Sequence, residues 1–123
     1  MVVDASALAA VIFQEPGFER ILEDLGSGSV VAPPLLKFEL INIAWKKARR
    51  HPADAAAIFA ALGVGLSGRW EIGWEDVEAV DVALVAHATG LTAYDASYLW
   101  LAGVLGADLV TLDARLARWE SAI

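Results

Sequence analysis

The chain has 123 residues, a formal net charge of −7, 58% hydrophobic residues and a mean hydropathy of +0.54. That length suits one domain around one core, and the absence of cysteine excludes a disulfide framework, a thiolate nucleophile and a Cys-held metal. The acidic balance argues against broad electrostatic capture of nucleic acid, which leaves a basic footprint, and no apolar run is long enough to cross a bilayer. Met1 is followed at once by Val2-Val3-Asp4 with no basic leader, so a cytoplasmic location is expected. The surplus of apolar residues points to surface covered by a partner.

Taken in order, Met1 to Val3 reads as a short strand ending at Asp4, which caps a helix carrying Leu8, Val11 and Ile12 at i, i+3, i+4 spacing. Pro16-Gly17 breaks that helix. Phe18 to Leu25 forms the next, with Phe18, Ile21, Leu22 and Leu25 on one face and Glu19, Glu23 and Asp24 on the other. Gly26-Ser27-Gly28 is a loop, and Ser29 to Ala32 is a strand stopped by Pro33-Pro34. Leu35 to Arg49 is the longest periodic helix, with Lys46, Lys47, Arg49 and Arg50 at its carboxyl end, where the helix dipole favours cations. Asp54 to Leu62 reads as a helix closed by Gly63, and Trp70 to Gly73 as a strand. Glu75 to Ala88 is an acidic-fronted helix with Gly90 beyond it, followed by a helix from Thr92 to about Val104. Asp108 to Leu112 is a strand that stops at Asp113, and Asp113 caps a last short helix through Leu116 and Trp119.

Short strands rich in Val, Leu and Ile thus alternate with helices, which predicts an α/β fold with a parallel sheet and helices on both faces. There is no internal repeat and no linker, so 1–123 is read as a single domain. Gly63-Val64-Gly65-Leu66-Ser67-Gly68 matches G-x-G-x-x-G, but it follows a helix rather than a strand, so a dinucleotide site is rejected.

In open parallel sheets ligands bind outside the carboxyl ends of the strands. Asp4 and Asp113 each stand where a strand gives way to a helix, and Asp95 opens a helix whose start at the same edge would bring three carboxylates together. Each alone reads as a cap: Thr92 and Asp95 have capping-box spacing. Three together repel, and a divalent cation is the simple remedy. Glu39 has Leu35, Leu36, Asn42 and Ile43 as helical neighbours, a largely apolar setting in which a carboxylate needs a metal or a partner. Ion pairing to Lys37, Lys46 or Arg69, or exposure at the helix edge, stands beside the ligand reading. Oxygen-only ligands favour Mg²⁺ or Mn²⁺ over zinc, and His51 and His87 are isolated, a helix-end and a helix-surface residue. An acidic site of this kind without a phosphate-cradling loop suits phosphodiester hydrolysis by a metal-activated water. Ser6 and Thr111, two residues from Asp4 and Asp113, are candidates to orient those carboxylates, beside their plainer roles at a helix start and in a strand. Asp76, Glu78, Asp81 and Asp108 read as solvated, and Trp70 and Trp74 as core or interface anchors.

Asp4-Ala5-Ser6-Ala7-Leu8, Phe38-Glu39-Leu40-Ile41-Asn42, Ala93-Tyr94-Asp95-Ala96-Ser97-Tyr98-Leu99 and Val110-Thr111-Leu112-Asp113-Ala114-Arg115-Leu116 resemble, in order, the four motifs of PIN-domain ribonucleases. Among these the chain is most similar to the VapC-type toxins of toxin–antitoxin pairs. The resemblance implies a three-layer α/β/α sandwich with a central parallel sheet of four to five strands, and an endoribonuclease whose Mg²⁺ or Mn²⁺ is held by four acids. Those acids map onto Asp4, Glu39, Asp95 and Asp113. It also implies a homodimer, and a cognate antitoxin whose C-terminal segment covers the active-site groove. Two departures are visible. The first strand is short, and the sequence ends at Ile123, soon after Trp119-Glu120, where family members often continue into a further strand; either the sheet edge is shorter or a C-terminal strand lies outside this sequence.

Lys46, Lys47, Arg49 and Arg50 are candidate contacts to the RNA backbone, beside a role as helix-end cations. Three other readings compete: an RNA-processing nuclease that is not a toxin, a catalytically silent PIN-like protein-binding module, and a phosphotransfer domain accepting phosphate on Asp4. The last lacks a paired D-x-D after the first strand and a Lys after a late strand.

Overall fold

A computed structural model gives the fold, and it describes residues 1–26, 28–68 and 70–120. Four parallel strands, β1 (Val2–Val3), β2 (Val30–Ala32), β3 (Ile72–Trp74) and β4 (Leu109–Val110), form one sheet in the order β3-β2-β1-β4. Val2 pairs with Val31 on one side and with Leu109 on the other, and Val30, Val31 and Ala32 face Ile72, Gly73 and Trp74. The two central strands and β4 are buried almost completely, so their side chains are apolar on both faces.

Helices α1 (Ala5–Ile12), α2 (Phe18–Leu25), α3 (Leu35–Arg50) and α4 (Ala55–Ser67) lie in the crossovers from β1 to β2 and from β2 to β3. Helices α5 (Ala79–Thr89) and α6 (Ala93–Leu105) return the chain past β1 to β4, and α7 (Ala114–Glu120) follows. Right-handed crossovers in opposite directions along the sheet put the two groups on opposite faces, giving three α/β/α layers. Helix α1 packs on α2, α3 and α4, whereas α6 packs on α5, α7, β1 and β4. Helix α1 is buried nearly all round, with Ala7, Leu8, Ala9, Ala10 and Val11 inside. Helix α3 buries one line of residues four apart, Leu36, Leu40, Ala44 and Ala48, which leaves Phe38, Ile41 and Trp45 exposed. No helix among the described residues is long and apolar enough to cross a membrane.

The structure moves four boundaries read from sequence. Helix α4 does not stop at Gly63 but runs to Ser67, because Gly65 faces Ile12 of α1 and lets the two helices approach. A short 3₁₀ turn over Pro52–Asp54 precedes it, and the Asp54 side chain makes no capping bond. Helix α5 begins at Ala79 rather than Glu75. The Glu75 N–H donates to the Ala32 carbonyl at 3.0 Å, which keeps that segment extended along the sheet. Strand β3 lies one to two residues later than expected, at Ile72–Trp74, and β4 is only Leu109–Val110. Thr111 leaves the ladder because its hydroxyl turns back to accept the Asp113 N–H at 3.0 Å. Ser27 of the expected loop lies outside the described residues.

Candidate active site

Strand order reverses between β1 and β4, the switch point at which an open sheet leaves a crevice beyond its carboxyl ends. Asp4 follows β1 directly and Asp113 stands three residues beyond β4. Asp4 is 4% exposed and receives three hydrogen bonds. Its Oδ1 accepts the Ala7 N–H at 3.0 Å, capping α1, and the Ser6 hydroxyl at 2.8 Å, while Oδ2 accepts the Thr111 hydroxyl at 2.5 Å. Ser6 Oγ in turn accepts the Leu112 N–H at 3.0 Å. The two candidate supporting hydroxyls therefore tie the end of β4 to Asp4 across the switch point. Asp113 caps α7 through one oxygen, its Oδ1 accepting the N–H groups of Arg115 at 2.8 Å and Leu116 at 3.2 Å.

Asp95 departs from a capping box. Thr92 caps α6 by accepting the Asp95 N–H at 3.2 Å. Among the described residues the reciprocal bond is missing, and the Asp95 carboxylate accepts no hydrogen bond. It is held at the helix start, where the dipole favours a negative charge, but remains available for another partner. Glu39, half-buried on the second turn of α3, accepts one hydrogen bond, from the Tyr98 hydroxyl at 2.5 Å. Among the described residues it forms no ion pair, so pairing with Lys37 or Lys46 is not what holds it. Arg69 lies outside the described residues.

The four acids interact as a closed ring. Asp4 feels Asp113, Asp113 acts on Asp95, Asp95 on Glu39, and Glu39 also feels Asp4. Burial pushes the Asp4 carboxyl above its ordinary range, opposed by the bonds from Thr111, Ala7 and Ser6 and reinforced by Asp113. Burial likewise raises Glu39 against the Tyr98 bond, with Asp95 and Asp4 adding repulsion. Asp95 is raised by burial and by Asp113, and Arg115 lowers it. The Tyr98 hydroxyl is driven far above the ordinary tyrosine range by burial and by Glu39, so it stays a donor.

These donors are all oxygen, mutually repulsive and, among the described residues and Arg115 beside Asp95 apart, without a counter-cation. They fit a hard divalent ion better than zinc. Among the described residues no three of them are drawn together into a formed cluster.

Two residues at this site carried no signal of their role in the sequence. In the sequence Tyr98 and Arg115 stand only as members of the third and fourth motif stretches. Tyr98 stands three residues after Asp95, on the same side of the helix, which is the one local cue it offered. The basic cluster divides. Lys46, Lys47, Arg50 and Glu15 line a cavity of about 410 Å³ together with Ala9, Ala10, Ile43 and two neighbours of the acids, Ser6, which bonds Asp4, and Leu112, which precedes Asp113. Lys47 is 3.5 Å from Glu15, and its ammonium lies over the Phe13 ring. Arg49 lies outside that cavity and stacks on Trp45, 4.8 Å from the ring centre. His51 and His87 are exposed, at the end of α3 and on α5, and take no part. Asp76, Glu78, Asp81 and Asp108 are exposed, as read. Trp70 packs against the core, and Trp74 is partly exposed under the Lys37 ammonium.

The PIN domain family matches residues 1–121. Ribonuclease VapC3 of Pyrobaculum aerophilum is 30% identical to this chain over 131 aligned positions, covering 95% of this chain and 92% of the relative. Exonuclease VapC9 of the same organism is 37% identical over 122 positions, covering 98% and 86%. The crystal structure of PAE2754, also from Pyrobaculum aerophilum, superposes with a TM-score of 0.75 at 33% identity, over 94% of this chain and 80% of that one. With the family match spanning nearly the whole sequence and two VapC relatives aligned over almost all of it, the chain belongs to the PIN-domain family and, within it, to the VapC proteins.

Proposed function

We propose that this chain is a metal-dependent endoribonuclease, the toxin of a type II toxin–antitoxin pair. The observation that carries the reading is the placement of Asp4 after β1, Asp113 after β4 and Asp95 at the start of α6, with Glu39 bonded to Tyr98 of that same helix, in a VapC protein. These four carboxylates are the metal ligands, and Mg²⁺ or Mn²⁺ is the ion that their oxygen-only chemistry suits. Such an ion supplies charge neutralisation at a phosphodiester and activation of a water. The chain's own contributions are distinct. Ser6 and Thr111 fix Asp4, the start of α6 presents Asp95 without a competing hydrogen bond, and the caps of α1 and α7 hold Asp4 and Asp113 in place.

Lys46, Lys47 and Arg50 beside the acids support an RNA-backbone role, because an acidic ion site needs a neighbouring cationic path to hold a polyanion. Arg49 takes a lesser part through its stack on Trp45. Partner-covered surface is supported by two exposed apolar stripes, Phe38, Ile41 and Trp45 on α3 and Val80 and Leu84 on α5. One homodimer contact and one antitoxin contact account for two such faces.

The test is cleavage of labelled linear and circular RNA by the purified chain with Mg²⁺, Mn²⁺ or EDTA, beside Asp4→Asn and Asp95→Asn. Cutting of both substrates that needs metal and disappears in both variants is the expected result. A second reading, exonucleolytic trimming, draws on the name of the exonuclease relative. Linear RNA shortened from its ends while the circle stays intact would replace the first reading with this one. No metal-dependent cutting of either substrate would overturn both.

A further inference from the structure

Tyr98 heads the fully buried side chains, at 1% exposure, and it carries a hydroxyl into that setting. A buried hydroxyl without a partner is costly, and among the described residues this one has a single partner, Glu39 Oε1, 59 positions away in sequence on another helix. From the other side the bond is equally singular. Asp4 is held by three donors, and Asp113 by two backbone N–H groups. Glu39 has three rotatable bonds and, among the described residues, only the Tyr98 hydroxyl to fix them.

The ring cannot shift easily. Tyr98 lies in a buried run of α6 with Ala96, Ser97, Leu99, Leu101 and Ala102, and α6 itself packs on β1 and β4. The hydroxyl is thus a fixed point referenced to the strands that carry Asp4 and Asp113. It bonds Oε1 and, among the described residues, Oε2 has no hydrogen bond. We propose that Tyr98 is a positioning residue for divalent-cation binding: its hydroxyl holds Oε1 of Glu39 so that the carboxylate meets the ion already oriented towards Asp4 and Asp95. This rests on the reading that Glu39 is a metal ligand. The plainer account is a core tyrosine that satisfies its hydroxyl on the nearest acid, in which case phenylalanine would serve the site as well.

Mn²⁺ titration calorimetry of the full chain separates the two, using wild type, Tyr98→Phe, Glu39→Gln and the double variant, with thermal unfolding in EDTA beside each. The expected result is a loss of Mn²⁺ affinity of about tenfold or more in Tyr98→Phe, the range seen when a ligand's outer partner is removed. That loss should vanish when Tyr98→Phe is made in the Glu39→Gln background, an outcome that a general effect on the fold would not produce. Glu39→Asp is a one-sided check with Tyr98 intact, since the shorter arm also draws the carboxylate back from the ion and only retained affinity discriminates. It keeps the charge but shortens the arm out of reach of the hydroxyl, and a similar drop is expected, so the proposal stays testable if Tyr98→Phe does not fold. Wild-type affinity in either Tyr98→Phe or Glu39→Asp would overturn the role of Tyr98, as would an undiminished effect of Tyr98→Phe in the Glu39→Gln background. A wild type without Mn²⁺ affinity would instead overturn the ligand reading on which it rests.

Discussion

Thr111 joins two of the four acids with one hydroxyl, donating to Asp4 Oδ2 and accepting from the Asp113 N–H. Thr111→Val keeps the β-branched shape that suits the strand end and removes both bonds. It should lower Mn²⁺ affinity and kcat/KM by about tenfold or more while leaving the fold intact, measured by calorimetry and RNA cleavage. The acids also set the pH dependence of the metal-free protein. Asp4, Glu39 and Asp95 are each raised by burial first; Asp113 adds to the rise of Asp4 and Asp95, and Asp95 and Asp4 to that of Glu39. A carboxyl whose folded pKa lies above its unfolded value binds its proton more tightly in the folded state. The stability it lends is therefore complete below the unfolded values, near pH 4, and is lost as pH rises through the raised folded values. In EDTA these three groups should make the thermal transition fall as pH rises above the unfolded carboxyl range near 4. Asp95→Asn should raise the transition at alkaline pH and flatten the profile. A profile unchanged by the substitution would show that Asp95 carries no such strain.

Helix α4 holds two glycines two residues apart whose substitutions should act in opposite directions. At Gly63 an added Cβ meets nothing within 4 Å, so Gly63→Ala gains helix propensity alone and should stabilise by about 0.5–1 kcal/mol. At Gly65 the Cβ would lie 2.5 Å from Ile12 Cδ1 and Cγ1. The same propensity gain is then outweighed by overpacking against α1, which costs about 1–3 kcal/mol. Urea unfolding of Gly65→Ala should show a net loss, and a Gly65 variant as stable as Gly63→Ala would mean that α1 and α4 can part. On α3, Leu40 is fully buried, and Leu40→Ala should cost about 2–5 kcal/mol. That same helix carries Glu39, so loosening its packing should also weaken the site.

At the scale of the molecule, the net charge of −7 hides two fields of opposite sign set side by side, the acidic ring and the cavity lined by Lys46, Lys47 and Arg50. Lys47 already has Glu15 as a partner, so on the proposed function Lys46 and Arg50 are the stronger candidates for phosphate. Replacing both with alanine should weaken RNA binding about equally for all sequences and reduce the salt slope by about 1–2. Mn²⁺ affinity should hold, because neither side chain bonds to the acids. An unchanged salt slope would remove the cavity from the RNA path.

Much of this protein was legible without coordinates. Burial on both faces forces parallel strands to be apolar, so β1, β2 and β4 stand out in sequence, and Asp at a helix start leaves a local signature that placed Asp4, Asp95 and Asp113. What local pattern could not supply was anything set by contacts between distant segments. The continuation of α4 past Gly63 depends on Ile12, more than fifty residues away. The delayed start of α5 depends on a bond from Glu75 to Ala32. Glu39 read equally as ligand, ion-pair partner or exposed acid, because its helical neighbours say only that a carboxylate there needs a partner. The tertiary structure supplied one in Tyr98, chosen by the packing of α6 against the sheet. The sequence by itself thus determined which residues carry charge, where strands give way to helices, and hence which edge gathers the acids. Only the tertiary structure decided how those acids meet, what fixes each one and which cations stand beside them, because these depend on distances across the chain that no local spacing encodes.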